Sequence, residues 1–413
     1  MSNDQQRSSP SQHRLVHYKP LSDGNCPIER MPNAILACIF GFVLCHPVYD
    51  WCIGRVMVVC RRWNDIAMHT PQLWTDIAVD EARRASDISL YLERSARLPI
   101  YIYVKNGTQT TFENLVRCSS RIKELYCFFN KSSDLSCLGA LHDPAPVLES
   151  LSIHFDNYST DATDAPRDVA ANPAIPSTIF NHQAPNLRKL TLNPFVPTLG
   201  CNLTHLRLEC QNGTTWNMNR FMTLLQANPS LEELHMFDAS PAPVSQFSGF
   251  VDLPKLRVWS LGCHDCTELS RILQCVGIPS TAQLIISDLE EAGSSISDSF
   301  PQDISKLRNL GVLTDVHITV ESGMIKVLAL PTNGTAALRF TTCGSLSYFV
   351  HTSQNIGKIL SVAHLTHLSI STGVDSAFWF RPTQRELDEA RDASLWEAMF
   401  SQVAPRKLRH MET

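Results

Sequence analysis

The sequence predicts a mixed chain, α+β or α/β, in which a small N-terminal helical module precedes a long solenoid of stacked strands and helices. Two observations lead to this fold class. A short leucine pattern recurs through most of the chain beyond residue 80, and an amphipathic helical stripe lies at residues 55–68. A repeated unit that cannot bury its own apolar face buries it against its neighbours, so the repetition predicts a stacked array.

Length and composition agree with this layout and argue against several classes of function. The chain has 413 residues, of which 44% are hydrophobic and 18% charged, as is typical of folded domains. Its formal net charge is −5, so we expect no basic field for nucleic acid or an anionic membrane. The charge-free apolar run at residues 34–45 is shorter than the roughly 20 residues that span a bilayer. The polar N-terminus lacks the apolar core of a signal peptide, which predicts the cytoplasm or the nucleus.

The helical module is predicted at residues 28–79, after a polar tail at residues 1–27 that we expect to be disordered. Pro32 suits the first turn of a helix, because its missing N–H would have no intrahelical partner there. In the helix that follows, apolar side chains at residues 35–43 cover nearly the whole circumference. This helix must therefore pack on two sides.

The second helix of the module is predicted from the stripe at residues 55–68. Val56, Val59, Cys60 and Trp63 recur at helical spacing. Charged side chains occupy the opposite face, so this helix is expected to bury one side only.

These segments resemble an F-box of the form common among fungal F-box proteins. The resemblance is carried by residues 31–40 (MPNAILACIF), 58–63 (VVCRRW) and 70–77 (TPQLWTDI) at this mutual spacing. Met31 stands where the family usually has leucine. Ala34 stands where the family commonly has glutamate, which removes one polar contact.

The resemblance implies binding to the small Skp adaptor and, through it, to the cullin scaffold of Skp–cullin–F-box ubiquitin ligases. A module of about 50 residues buries only part of its apolar surface internally, and the rest is available for helix packing with a partner. Spacing alone leaves a different interpretation open, in which Trp63 and Trp74 are ordinary core residues of a helical bundle. The residues that we assign to the module core and Skp contact together are Pro32, Ile35, Leu36, Ile39, Phe40, Val59, Cys60, Trp63 and Trp74.

The pattern Leu-x-x-Leu-x-Leu, with substitutions, dominates residues 80–413 and predicts an irregular leucine-rich-repeat arc. Each copy is expected to form a short strand whose alternate side chains point inward. A proline two residues upstream of several copies is expected to end the preceding helix and turn the chain into the strand. The copies begin at Leu148, Leu187, Leu203, Leu231, Leu256, Leu313 and Leu365, and the upstream prolines are Pro146, Pro185, Pro229 and Pro254.

Two loop insertions and two helices are also predicted in this region. Residues 156–184 are rich in Asp, Ala and Pro, and residues 287–303 contain acidic and Gly-Ser runs, so both are expected to be exposed loops. Apolar spacing predicts helices at residues 219–226 and 384–402. Residues 408–413 repeat the strand pattern at the end of the chain.

We predict no catalytic residue, no cofactor and no metal site. The sequence has no phosphate-binding loop, no dinucleotide-binding glycine motif, no H-E-x-x-H and no G-x-S-x-G. Cys263 and Cys266 form a lone C-x-x-C, and no second pair follows to complete a zinc site. Histidines such as His154, His205 and His235 lie in or beside predicted strands, where we expect structural hydrogen-bonding roles.

The predicted function is that of a non-catalytic substrate-recognition adaptor, whose module docks on Skp while the repeat arc holds an unknown target protein. One alternative is a non-degradative interaction scaffold with a weak or absent Skp interaction. Another is an unrecognised enzyme, because a site assembled in space leaves no sequence motif. The pattern indicates no aromatic or arginine cluster that could be assigned as the target-binding patch.

Overall fold

The chain divides into two compact units between Leu73 and Trp74. The predicted helix at residues 384–402, Cys263 and most of the tail and of the two predicted insertions lie outside the residues that the structure describes. The computed structural model describes residues 27–44, 53–80, 85–130, 132–155, 179–193, 202–209, 215–216, 218–237, 240–241, 249–262, 266–289, 300–321, 324–331, 334, 337–343, 365–373 and 410–412.

The first unit is helical. It contains α1 (Asn33–Leu44), α2 (Ile53–Met57) and α3 (Arg61–Met68), with a 3₁₀ turn at Pro27–Arg30. A second 3₁₀ turn, at Pro71–Trp74, contains the boundary between the two units.

The prediction of one helix at residues 55–68 is wrong, because α2 and α3 are separate helices. Two β-branched residues in succession, Val58 and Val59, follow α2 and disfavour its continuation. Cys60 then adopts an extended backbone, with φ −160° and ψ 167°, and starts α3.

The second unit is built around strands. Its helices are α4 (Ala85–Arg94), α5 (Gln109–Val116), α6 (Met218–Gln226) and α7 (Cys266–Cys275). Its strands are β1 (Asp76–Val79), β2 (Ile100–Lys105), β3 (Ile122–Phe129), β4 (Ser150–Phe155), β5 (Lys189–Leu192), β6 (His205–Glu209), β7 (Thr215–Trp216), β8 (Glu233–Phe237), β9 (Ser240–Pro241), β10 (Val251–Asp252), β11 (Val258–Gly262), β12 (Val276–Gly277), β13 (Gln283–Leu289), β14 (Leu313–Glu321), β15 (Met324–Pro331), β16 (Leu338–Cys343), β17 (His367–Gly373) and β18 (His410–Glu412).

Most of these strands join one large sheet of 14 strands, in the order β1-β2-β3-β4-β5-β6-β8-β11-β13-β16-β15-β14-β17-β18. Neighbours pair in parallel except around β15, which is antiparallel to both β14 and β16. Strand β1 comes from the end of the segment predicted as the helical module and pairs with β2. Two small parallel pairs, β7 with β9 and β10 with β12, lie outside the large sheet.

Every copy of the leucine pattern places its second and third apolar positions in a strand of this sheet, as predicted. Parallel pairing in register aligns these positions in the five copies on β4, β5, β6, β8 and β11 into two buried rows, which β3, β13 and β16 extend. The first row consists of Leu125, Leu151, Leu190, Leu206, Leu234, Trp259, Leu284 and Leu338. The second consists of Cys127, Ile153, Leu192, Leu208, Met236, Leu261, Ile286 and Phe340.

The upstream prolines turn the chain into the strands, as predicted. Each occupies the second position of a four-residue turn, where its fixed φ is favourable. In each turn the N–H of the leading leucine donates to the carbonyl oxygen three residues earlier. These bonds are Leu148 to Ala145 (3.2 Å), Leu187 to Ala184 (3.1 Å), Leu231 to Asn228 (3.2 Å) and Leu256 to Leu253 (3.1 Å).

Both predicted insertions are shorter than the sequence suggested. At the end of the first, the chain turns at Ile179–His182, where Phe180 and Asn181 have positive φ and Ile179 and Phe180 are buried. In the second, β13 extends through Leu289, and Phe300 is buried again. Apolar side chains within these polar stretches reach the core, so the chain returns to it earlier than composition indicates.

Candidate protein-docking surfaces

A single arginine on α3 is bonded to the start of α1 and to the residues just before it. The Arg62 guanidinium, on α3, donates through Nε and Nη2 to Oδ1 of Asn33 at 3.0 and 2.8 Å. Nη1 donates to the carbonyl oxygen of Glu29 at 2.6 Å, and Nη2 also donates to that of Met31. These bonds hold the start of α1 against α3, because a planar guanidinium fixes several acceptors at once.

One side of α1 faces the interior of the first unit. Leu36 and Phe40 are buried there, and the Phe40 ring lies 4.7 Å from the half-buried Trp63 ring, measured between centroids. Ile66 and Ala67 are buried on α3. Ile53 and Val56 are buried on α2, so all three helices contribute to a small core, as expected for a module of this length.

The other side of α1 is exposed and apolar. Its members follow the spacing i, i+4, i+7 and i+8, which places them on one helix face. Phe42 is the most exposed of them, at 80%. We call this face the outer apolar surface; it consists of Ile35, Ile39, Phe42 and Val43. Its presence agrees with the expectation that α1 packs on two sides, since one side packs inside the unit.

The residues assigned from the sequence to the module core and Skp contact separate into three groups. Leu36 and Phe40 lie inside the unit, with Trp63 half-buried against them. Trp74 is buried in the second unit, where its ring centroid is 5.1 Å from that of Tyr91. The exposed members are Pro32, Ile35, Ile39, Val59 and Cys60.

Sequence reasoning missed three exposed apolar residues and the role of Arg62. Phe42 and Val43 extend the outer apolar surface by a further helical turn, and Val58 is exposed between α2 and α3. For Phe42 and Val43 the sequence did contain a signal, because apolar residues cover nearly the whole circumference of α1. No sequence signal indicates that Arg62 bonds to the chain near Asn33, because the contact joins residues far apart in sequence.

A second group of side chains lies on the large sheet, at positions that alternate with the buried rows. The rings of Tyr103 and Tyr126 stack with centroids 4.8 Å apart and planes 12° apart. The rings of Tyr126 and His154 continue the stack at 4.7 Å and 27°. Tyr103 and Tyr126 are register partners on β2 and β3, and Tyr126 pairs with Ser152 on β4. His154 lies two residues beyond Ser152, so its ring meets that of Tyr126 diagonally, and the three rings form one stack across the strands.

An ion pair continues this group towards β6 and β8. Oε2 of Glu209 lies 3.4 Å from Nδ1 of His154, and Oε1 lies 2.5 Å from Nε of Arg207. The Arg207 guanidinium lies 4.9 Å from the ring centroid of Phe237, whose ring is parallel to that of His235. We call this group the tyrosine–histidine surface; it consists of Tyr103, Tyr126, His154, Arg207, Glu209, His235 and Phe237.

The local environment shifts the pKa values of three of these groups. The hydrogen bond from His154, helped by Arg207, lowers the pKa of Glu209 to about 2, against the opposing effect of burial. Burial, together with nearby Tyr103, raises the pKa of Tyr126 to about 12. Burial also raises the pKa of Tyr103. At neutral pH the carboxylate is therefore charged and both phenols are protonated.

We expect Glu209→Gln to lower the free energy of unfolding at pH 7 by about 1–2 kcal/mol, allowing for solvent screening of the partly exposed pair. The folded pKa of about 2 lies below the ordinary value of 4.5, so this stabilisation is present above pH 4.5 and is lost as pH falls towards 2. Urea unfolding at pH 7, 4 and 3 measures this stabilisation. The difference in free energy of unfolding between wild type and Glu209→Gln should become smaller as the pH falls.

Glu232→Gln is the matched control for this prediction. Glu232 lies 3.9 Å from Arg257, whose side chain is highly exposed, so its loss should cost less than about 0.5 kcal/mol. A wild-type advantage over Glu209→Gln that stayed constant from pH 7 to pH 3 would contradict the assigned ion pair.

Comparison with known families agrees with the geometry of the first unit. Residues 28–80 match a family model described as F-box-like. This match covers the three helices, the turn at Pro71–Trp74 and strand β1. No curated protein matches the chain. An F-box-like domain suggests a role as an adaptor in ubiquitin ligase complexes, and such domains commonly bind Skp.

Two further findings bear on the kind of site. Within the described part of the chain, no helix is long and apolar enough to cross a membrane. Among those same residues, no group of three or more His, Cys, Asp or Glu side chains is arranged to hold a metal ion.

Proposed function

We propose that this chain is a non-catalytic substrate-recognition adaptor of a Skp–cullin–F-box ubiquitin ligase. The observation that carries the proposal is the outer apolar surface, which lies on a helical unit whose residues match the F-box-like family model. Four large apolar side chains on one helix face are costly to leave in water, so they favour a partner that covers them.

Docking on Skp would proceed by helix packing. The apolar face of α1 would lie against helices of Skp, with side chains such as Ile35 and Ile39 filling gaps between them. Arg62 supports this interface because it fixes the start of α1 through Asn33 and two backbone carbonyls. The helix is thereby held in place before the partner arrives, which reduces the entropic cost of binding.

In this proposal the second unit is an irregular leucine-rich-repeat arc that holds the target protein. The aligned buried rows and the proline turns that precede the strands support it, since they repeat one strand-and-turn unit along the chain. Ubiquitin transfer would be performed by the conjugating enzyme, while this chain supplies proximity and orientation in the cytoplasm or nucleus.

The decisive experiment is co-expression of the full chain with the Skp adaptor, followed by affinity measurement on the purified proteins. We expect the wild type to co-purify with Skp and the double variant Ile35→Asp/Ile39→Asp to bind about 30-fold more weakly or worse. Two buried hot-spot contacts would be replaced by desolvated charges, which accounts for a loss of this size.

Val312→Asp is the matched control, because Val312 is 38% exposed and Ile39 is 37% exposed. Val312 belongs to the second unit and should be neutral for Skp binding. If the folded wild type fails to bind Skp, the ligase-adaptor proposal is rejected in favour of the scaffold alternative. Binding recovered by Ala34→Glu would then identify the missing glutamate as the cause.

A further inference from the structure

We propose that the tyrosine–histidine surface binds an extended, carboxylate-rich peptide segment of another protein. Under the function proposed above, that other protein is the target for ubiquitylation. Only this description of the partner depends on the proposed function. The binding itself requires only the second unit, on which all members of the surface lie.

The carboxylates on and beside this surface already have basic partners. Glu209 is contacted by His154 and Arg207. Glu233, next to the surface, lies 3.6 Å from His205 and 3.6 Å from His235. Part of the acceptor capacity of both carboxylates is therefore already used, which weakens the attraction for a lysine- or arginine-rich partner.

The polar groups that remain are hydrogen-bond donors. Arg207 uses Nε on Glu209, and its two terminal nitrogens have no hydrogen-bond partner within the described residues. The hydroxyls of Tyr103 and Tyr126 are protonated at neutral pH, as phenols ordinarily are, and burial raises the pKa of both further. A ligand that matches this set supplies acceptors, and a charged acceptor makes the stronger bonds.

The number of full positive charges favours carboxylates over phosphates. Arg207 is the one guanidinium of the surface, and the others in its immediate array are imidazoles and phenols. Lys189 and Glu124 lie on the same face in one neighbouring row, and their charges offset each other. Lys105, two residues after Tyr103 on β2, is a second full positive charge on this face and lies four strand-to-strand steps from Arg207. A doubly charged phosphate is usually held by several arginines, whereas one guanidinium with neutral donors suits a carboxylate.

The shape of the surface favours an extended segment. It crosses the sheet from β2 to β8, which are separated by five strand-to-strand steps in the order β2-β3-β4-β5-β6-β8. At about 4.8 Å per step the surface is about 24 Å long, and an extended peptide of about seven residues would cover it. The stacked rings add a flat apolar platform on which peptide side chains can pack.

The test is selection of a phage-displayed library of random peptides, about twelve residues long, on the immobilised full chain. We expect the bound peptides to contain Asp and Glu at about twice their frequency in the unselected library or more. For a selected acidic peptide, Arg207→Gln should weaken binding about tenfold or more, and Tyr103→Phe/Tyr126→Phe should weaken it while the rings remain stacked.

Arg257→Gln serves as the control, because Arg257 is exposed and lies outside the surface. It should leave binding of the same peptide unchanged within about twofold. Circular dichroism of each variant establishes that it is folded. The proposal is overturned if acidic residues are not enriched, if only phosphorylated versions of the peptides bind, or if Arg207→Gln and Arg257→Gln weaken binding equally.

This outcome is independent of the Skp experiment. The selection contains no Skp, and it can be repeated with Ile35→Asp/Ile39→Asp, which alters the first unit only. Acidic enrichment retained by that variant supports the peptide surface even if Skp binding fails. Loss of enrichment in Arg207→Gln with intact Skp binding places the peptide contacts at the tyrosine–histidine surface.

Discussion

Trp259→Ala is expected to lower the free energy of unfolding of the second unit by about 3–5 kcal/mol. Trp259 is fully buried in the first buried row, between Leu234 and Leu284. Its neighbours in the row cannot collapse into the vacated space, because the strands that carry them are fixed by parallel pairing on both sides. Chemical denaturation followed by far-ultraviolet circular dichroism measures the loss.

Trp259→Phe provides the informative comparison. The buried Nε1 of Trp259 has no acceptor within the part of the chain that the structure describes. Phenylalanine keeps most of the aromatic volume and removes this N–H, so the lost packing and the relieved polar group offset each other. We expect a net loss of at most about 1.5 kcal/mol. If Trp259→Phe lowered the free energy of unfolding as much as Trp259→Ala, the indole N–H would have a hydrogen-bond partner. Its assignment as an unpaired buried donor would then be wrong.

Seven strands of the large sheet could be predicted, because each of them contains a copy of the pattern that carries its own signal; they are β4, β5, β6, β8, β11, β14 and β17. The spacing in Leu148-x-x-Leu151-x-Ile153 defines which side chains face inward, and every copy then forms the same kind of strand. The order of the strands could not be predicted in full. Strand β15 lies between β14 and β16 with antiparallel pairing, and nothing in its own pattern states which neighbours it will have.

The two candidate surfaces differ in how much the sequence showed. The outer apolar surface follows from one helix, so its members Ile35 and Ile39 could be named from local spacing and the resemblance. The tyrosine–histidine surface joins residues from separate strands. Arg207 is the middle residue of Leu206-Arg207-Leu208, within a predicted copy, whereas Tyr126 lies on β3, where no copy was predicted. Parallel register places Arg207 beside His235, so aligning the copies would have shown that pair but not the tyrosines.

The second large effect is expected for Asn228→Ala, which should lower the free energy of unfolding by about 2–4 kcal/mol. Asn228 is fully buried beside the proline turn that precedes β8. Its Oδ1 accepts from the backbone N–H of Leu203 at 2.8 Å, and its Nδ2 donates to the carbonyl oxygen of Leu224 at 2.7 Å. The side chain therefore links the end of α6 to the segment that enters β6, and alanine would leave two buried backbone groups unpaired.

Asn186→Ala is the control that separates burial from turn chemistry. Asn186 also lies in a proline turn, and its Nδ2 donates to the carbonyl oxygen of Pro146 at 2.6 Å. Asn186 is exposed, so water replaces the lost bond and we expect a cost below about 1 kcal/mol. If Asn186→Ala and Asn228→Ala lowered the free energy of unfolding equally, asparagine would act by stabilising the proline turn. The buried bonds from Asn228 to Leu203 and Leu224 would then add nothing.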